Sequence, residues 1–405
     1  MKIALALESF DPQSGEMEAL AFEFARGLLR LNHEVHVVAQ HFSKAGSEIP
    51  IVPHRIGSSR SPLRRAAAAE AKLRPLRADV VHDLGITWYA DVFSSRDGSA
   101  LGEQQRQLAD AAWWARPFKR MVIRRSPRRR QQAELAIRQL DGDDSIVLAP
   151  SQMVARDYCV IHDLAPERVR VVHPGVDIKK FSPHIRKLRR EAVRRRLGID
   201  ARTLLLLALA DDYQQGTWHV VFRALRRLSG KRVPAHLVVV GDRRVTPPQR
   251  LVDRFGLAEN VTVVGPIDDR LPYYAAADVL LVPTRYAPFS LSLLEAAACG
   301  LPSITTQGNG AAELFTDGSD IHLFDGGAAD LADRVERFRD SARAERMGLA
   351  ARRTAMKHPL DRSFSQVVAT YEEVATARAR AVRNDGAVLA LEHAAGSDFV
   401  HRRAA

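Results

Sequence analysis

The sequence predicts an α/β protein of two doubly wound domains that face each other across a cleft. Three observations carry this expectation. The chain has 405 residues, too many for one hydrophobic core and enough for two ordinary domains. Short apolar runs alternate with amphipathic helical stretches in two separate series. Between the series lies HPGVDIKKFSP, residues 173–183, whose prolines and glycine suit a linker.

In the first series residues 3–7 read as a strand, followed by the turn DPQSGE and a helix. That helix carries an apolar stripe of Ala19, Leu20, Phe22, Phe24, Leu28 and Leu31. Residues 34–39, 79–82 and 145–149 read as further buried strands, with a long, basic, mostly helical excursion before the last. The second series places strands at 204–209, 235–240, 261–264, 279–282 and 303–305, with helices such as 216–228 and 291–299 between them. Such alternation argues for parallel sheets covered on both faces. The expected domains are residues 1–175 and 176–360. A helix at 361–382 is expected to cross back to the first domain, and a polar, alanine-rich tail at 383–405 to be frayed.

Composition narrows the function. The chain is 46% hydrophobic and 27% charged, so it can bury large cores and is not a disordered polymer. Its two cysteines, Cys159 and Cys299, exclude a disulfide scaffold or zinc ribbon and point to a reducing cytoplasm. The N-terminal apolar run meets Glu8 early, and the longest apolar stretch, 204–210, falls far below the roughly 20 residues of a membrane span. A soluble intracellular protein is therefore expected.

The net charge of +12 attracts phosphate-bearing partners in general. Seven basic residues and no acid lie between Lys119 and Arg130 (KRMVIRRSPRRR), and seven with one acid between Arg186 and Arg196 (RKLRREAVRRR). Neither run has the interleaved aromatics of a nucleic-acid site, so no nucleic-acid partner is expected. Attraction of the Lys119–Arg130 run to an anionic membrane surface, at the inner face of the plasma membrane, stands beside the plainer reading of a solvated helix face.

Ligands of doubly wound sheets sit beyond the carboxyl ends of the strands, where helix N-termini offer unpaired N–H groups. Two turns qualify here. One is PQSGE, where Gly15 lets the backbone approach a ligand; the other is RYAPFSL, residues 285–291, which opens the helix carrying Glu295. On the residues alone each is equally a plain strand-to-helix turn.

The stretch PFSLSLLEAAACGLPSITT, followed by GNGAAELFTDG, resembles the donor-site signature of the family 4 glycosyltransferases. VRVVHPGVDIKKFSP, APSQMVARDY, LVVVGD and VTVVGPIDDRLPYYAAADVLLVP extend the resemblance over most of residues 1–330. The likeness is nearest to the lipopolysaccharide-core glucosyltransferases, and it implies a GT-B fold and retention of anomeric configuration. It implies a nucleotide-sugar donor, UDP-linked, with a cell-surface glycan or lipid-linked acceptor and no required cofactor or metal.

The resemblance also assigns roles. Glu295 matches the second glutamate of the family's Glu–seven residues–Glu motif, which holds the ribose hydroxyls. The N–H groups of Phe289, Ser290 and Leu291 match the diphosphate-facing end of that helix. Gly265 and Ile267 match the place where main-chain groups read the base. Gly15 matches the loop that closes over the phosphates, and Asp97, in DVFSSRDGSA, an acceptor-side position near the reacting centre.

Three positions depart from the pattern. The first glutamate of the motif is replaced by Ala287, eight positions before Glu295. The basic pair or lysine expected at the end of LLALADDYQQGTW is replaced by Gln214 and Gln215. Arg243 and Arg244, in the next GDRR turn, are the nearest basic candidates for phosphate contact. An active transferase with a rearranged site, and a weakened relative that binds a nucleotide-sugar or assists a partner glycosyltransferase, both remain open.

Overall fold

Leu205, Leu207 and Leu209 enter one hydrophobic cluster while Leu204, Leu206 and Ala208 enter another. This is the signature of a strand buried on both faces, and it belongs to β8 (Leu204–Leu209), inside a parallel sheet. The computed structural model describes residues 1–401 apart from 15, 45, 47, 96, 97, 100, 103–126, 142–144, 210–216, 242–246, 248 and 268. Within them the chain forms two compact units. One comprises Met1–Phe93, Ile137–Ile146 and Phe364–Ala405; the other comprises Ser94–Ala136 and Val147–Ser363.

The first sheet is built from β1 (Lys2–Phe10), β2 (Glu34–Phe42), β3 (Val52–Arg55), β4 (Val80–Asp83), β5 (Val92–Ser94), β6 (Ile146–Ala149) and β7 (Val169–Val171), in the order β3-β2-β1-β4-β5-β6-β7. The helices among these strands are α1 (Glu16–Arg30), α2 (Pro62–Leu73), α3 (Pro127–Leu140) and α4 (Gln152–Ile161). Ser61 caps α2 by accepting from the Arg64 N–H, and Pro62 opens the helix where its missing N–H costs nothing. Ser151 caps α4 through the Val154 N–H.

The second sheet combines β8 with β9 (Ala235–Val240), β10 (Val261–Val264), β11 (Val279–Val282), β12 (Ser303–Thr305) and β13 (His322–Leu323), ordered β10-β9-β8-β11-β12-β13. Its helices are α5 (Pro183–Arg196), α6 (Thr217–Gly230), α7 (Gln249–Arg254), α8 (Leu271–Ala276), α9 (Leu291–Ala298), α10 (Ala328–Glu336) and α11 (Ser341–Ala355). The strand order reverses between β8 and β11, which makes their carboxyl ends the natural ligand position.

The arginine run on α5 is partly internal. Arg186, Arg190 and Arg194 recur at the helical spacing of four and turn toward α8. Arg186 donates to the carbonyls of Gly300 and Ala277 at 2.8 Å each, and Arg190 to those of Ala276 and Ala277 at 3.0 and 2.9 Å. Arg190 and Arg194 grip the two oxygens of Asp278 at 2.5 and 3.0 Å. Arginine forks thereby satisfy carbonyls that the end of α8 leaves open. Burial lowers the Arg186 pKa to about 10. Three of the seven basic residues of this run thus serve packing rather than an outside anion.

The last helix, α12 (Leu360–His401), differs from expectation in length. Residues 383–401 continue as helix where a frayed tail was expected, in keeping with their alanine content. In the first unit its Phe364 packs edge-on to Phe24 at 5.0 Å, and Tyr371 is hydrogen-bonded to His82 at 2.5 Å. Burial drives the His82 pKa down to about 3, so the ring in this aromatic cluster is neutral. No described helix is long and apolar enough to cross a membrane.

Candidate functional site

The carboxyl end of β11 leads through Tyr286, Ala287 and Pro288 to the N-terminus of α9, and Glu295 stands on the second turn of that helix. Glu295 is 8% exposed, and the Tyr274 hydroxyl of α8 donates to its Oε2 at 2.7 Å. Burial pushes the carboxyl pKa up; the Tyr274 hydrogen bond, Arg270 and Lys180 oppose that shift. A buried carboxylate with one fixed donor is oriented in advance, which suits it to accept from hydroxyls.

Ala287 contributes only a methyl group and its backbone. Its N–H donates to the Gly308 carbonyl and its carbonyl accepts from the Gly310 N–H, both at 2.9 Å. These bonds weave the loop before α9 into the loop after β12. Gly310 is required there, because a Cβ would collide with the Pro288 carbonyl and the Ser151 hydroxyl.

The N-terminus of α9 is only partly open. Asn309 Oδ1 accepts from the Ser290 N–H at 3.2 Å and from Ala311 N–H at 3.1 Å. The Ser290 N–H, expected to face a diphosphate, is thus already engaged, because Asn309 caps the 3-10 turn Gly310–Leu314 and reaches it on the way. No described residue accepts from the N–H groups of Phe289 or Leu291. The Ser290 hydroxyl, in a residue 4% exposed, has no hydrogen-bond partner among the described residues. The helix dipole, the Phe289 and Leu291 N–H groups and the buried Ser290 hydroxyl, without partners among the described residues, together make a position for an anion.

Gly265 and Ile267 follow β10. Nothing lies within 4 Å of where a Gly265 Cβ would stand, and Ile267 packs on the same core cluster as Phe289. Gly15, Asp97, Gln214, Gln215, Arg243 and Arg244 lie outside the described residues, as does the Lys119 end of the basic run. Gly98, next to Asp97, is described: at φ 71° it packs against the Tyr286 hydroxyl and the Pro288 ring, where a side chain would not fit. Gly98 therefore borders the loop that carries Ala287.

Several contributors were not singled out from the sequence. Tyr274 is one and Asn309 another. A third is Glu313, whose Oε1 accepts from the Gln152 N–H at 2.8 Å and bonds His173 Nε2 at 2.7 Å, while Oε2 accepts from the Met153 N–H at 3.4 Å. Beside it, Ser151 Oγ donates to the Pro288 carbonyl at 2.9 Å. The Tyr286 hydroxyl donates to Asp157 at 3.3 Å. All of these groups belong to the second unit. A separate cavity of about 760 Å³ opens beyond β11, β12 and β13, but its Arg334 is already engaged by Asp317 and Asp330 at 3.1 Å each.

Residues 17–180 match the family model described as Glycosyltransferase Family 4, and residues 202–340 the one described as Glycosyl transferases group 1. D-inositol 3-phosphate glycosyltransferase of Thermomonospora curvata is 32% identical over 260 residues, 59% of this chain and 60% of that protein. The chain thus spans about 60% of the length of this curated relative. WaaG, a glycosyltransferase involved in lipopolysaccharide biosynthesis, superposes with a TM-score of 0.73 at 21% identity, over 90% of this chain and 98% of that one. Anabaena HepE, solved with UDP and glucose, gives 0.67 at 19% identity, over 92% and 99%. The fold is GT-B, and both sheets carry glycosyltransferase regions. WaaG and HepE share the fold, whereas the sequence relatives carry an inositol phosphate name.

Proposed function

We propose that this protein is a retaining glycosyltransferase that moves a hexose from a UDP-linked donor to a hydroxyl of a glycan, lipid-linked or phosphorylated polyol acceptor. The observation that carries the reading is Glu295, buried and held by Tyr274, one turn inside a helix at whose start the Phe289 and Leu291 N–H groups and the Ser290 hydroxyl have no partner among the described residues. In that arrangement Glu295 accepts from the two ribose hydroxyls, the open end of α9 faces the diphosphate, and the turn at Gly265 and Ile267 lies against the base. Asp97 and Gly15 serve the acceptor side and the closing loop.

The chemistry asked of the protein is placement and charge stabilisation. An acceptor hydroxyl attacks the anomeric carbon from the side the diphosphate leaves, and a phosphate oxygen takes the proton. The UDP found with HepE and the inositol phosphate named for the Thermomonospora curvata relative supply the first donor and acceptor to try. The net charge of +12 favours both anions.

Ala287 favours a second reading, a weakened relative that retains a nucleotide-sugar without turning it over quickly. The experiment is a UDP-release assay with UDP-glucose and related donors, each with and without inositol phosphate or a lipid-linked oligosaccharide. Acceptor-dependent UDP release supports the transferase. Donor binding without release in any combination supports the second reading.

A further inference from the structure

We propose that Glu313 is a positioning residue for the anion-binding end of α9, acting through the turn that it anchors. Its two carboxylate oxygens receive the first N–H groups of α4, from Gln152 and Met153, at 2.8 and 3.4 Å. A carboxylate at a helix N-terminus is favoured by the dipole and satisfies donors that have no helical acceptor. The bond to His173 Nε2 at 2.7 Å ties the same oxygen to the start of the 173–183 linker.

Glu313 sits on the 3-10 turn Gly310–Leu314, capped by Asn309. Asn309 in turn holds the Ser290 N–H, and Gly308 and Gly310 hold both backbone groups of Ala287. The Ser151 hydroxyl closes the circuit by donating to the Pro288 carbonyl while capping α4. Gly310 is wedged between those two groups with no space for a side chain. The path from the Glu313 carboxylate to the Phe289 and Leu291 N–H groups is therefore short and close-packed. Releasing Glu313 from α4 frees the turn, and with it the loop that presents those N–H groups. Only the identity of the anion, a nucleoside diphosphate, rests on the transferase reading.

The test compares the full chain with its Glu313→Ala and Glu313→Gln variants. Amide hydrogen exchange is followed at residues 152–154 and 286–292, and UDP binding by calorimetry at fixed salt. Glu313→Ala is expected to speed exchange in both segments and weaken UDP binding about fivefold or more, within the span of coupling through packed networks. Glu313→Gln keeps an oxygen acceptor for the α4 N–H groups and is expected to recover most of that loss. Faster exchange confined to 152–154, with UDP affinity unchanged, would make Glu313 a cap of α4 and nothing more. If the alanine variant does not fold, the glutamine variant decides by whether exchange rises in both segments or in the first alone. A wild-type chain that binds no UDP removes the transferase reading, while exchange at 286–292 still decides the role of Glu313.

Discussion

The Tyr274 hydroxyl and Glu295 Oε2 lie 2.7 Å apart in a pocket where the tyrosine is fully buried and the glutamate nearly so. One hydrogen bond thus links the core of α8 to the side chain on which the proposed donor site turns. Removing the donor leaves a buried carboxylate oxygen short of a partner. Tyr274→Phe should cost about 1–3 kcal/mol of stability. Urea unfolding checks this, and an unchanged midpoint would show that the bond carries no net weight.

Gly310 is hemmed in by the Pro288 carbonyl and the Ser151 hydroxyl. Gly310→Ala should therefore push the loop before α9 away from α4, at a cost of roughly 1–3 kcal/mol from overpacking. A thermal melt of this variant beside Gly265→Ala gives the contrast, because the space around Gly265 is open. Equal melting temperatures for the two variants would contradict the packing described.

The arginines of α5 divide into inner and outer members. Arg194 is 5% exposed and bonds Asp278 and the carbonyls of Asp200 and Thr203, whereas Arg195 is exposed. Breaking a buried ion pair by removing one partner costs about 3–5 kcal/mol. Arg194→Met should fall near that range and Arg195→Ala within about 0.5 kcal/mol of the parent. Denaturant titration distinguishes them, and a neutral Arg194→Met would return the whole run to the surface.

Two neighbours on β4 oppose each other in pH. Burial raises the Asp83 pKa from 3.8 to about 7, against backbone N–H bonds from Ile86, Thr87 and Gly85 and the Gln139 amide. The native state therefore keeps a proton that the unfolded chain has released. This contribution is full below pH 3.8 and is lost as pH rises through about 7. His82, lowered from 6.5 to about 3 by burial, works the other way: its contribution is full above 6.5 and is lost as pH falls toward 3. Between pH 4 and 6.5 the two slopes nearly cancel. Asp83→Asn removes one of them, so its stability should fall with acidification more steeply than the parent's, by up to about 1.4 kcal/mol per pH unit. Urea midpoints across this range check the sign; parallel curves for the two proteins would refute the assignment.

The legible part of this molecule was the part whose cause is local. β8 and β11 are buried along their whole length, so each stands out as an unbroken apolar run, and β8, β9, β10 and β11 fall where their residues predict. β3, sequence VPHR, is half polar, carries a proline and is mostly exposed at the sheet edge, so no periodicity marks it. The stretch containing Glu295 was visible as a motif, but its hydrogen bond to Tyr274 was not. Glu313 lies 161 positions from the N–H that it receives, and no short-range pattern reports a contact of that separation. In composition the α5 arginines are only charge, whereas their spacing of four sends three of them inward.

The most direct test of the donor-site account is calorimetric titration of the full chain with UDP and UDP-glucose, repeated with Glu295→Ala. Micromolar binding to the parent is expected, with a loss of at least tenfold in the variant, in line with about 1.5–3 kcal/mol for charged hydrogen bonds to ribose. Binding that is absent from the parent, or unchanged when the Glu295 carboxylate is removed, would contradict it.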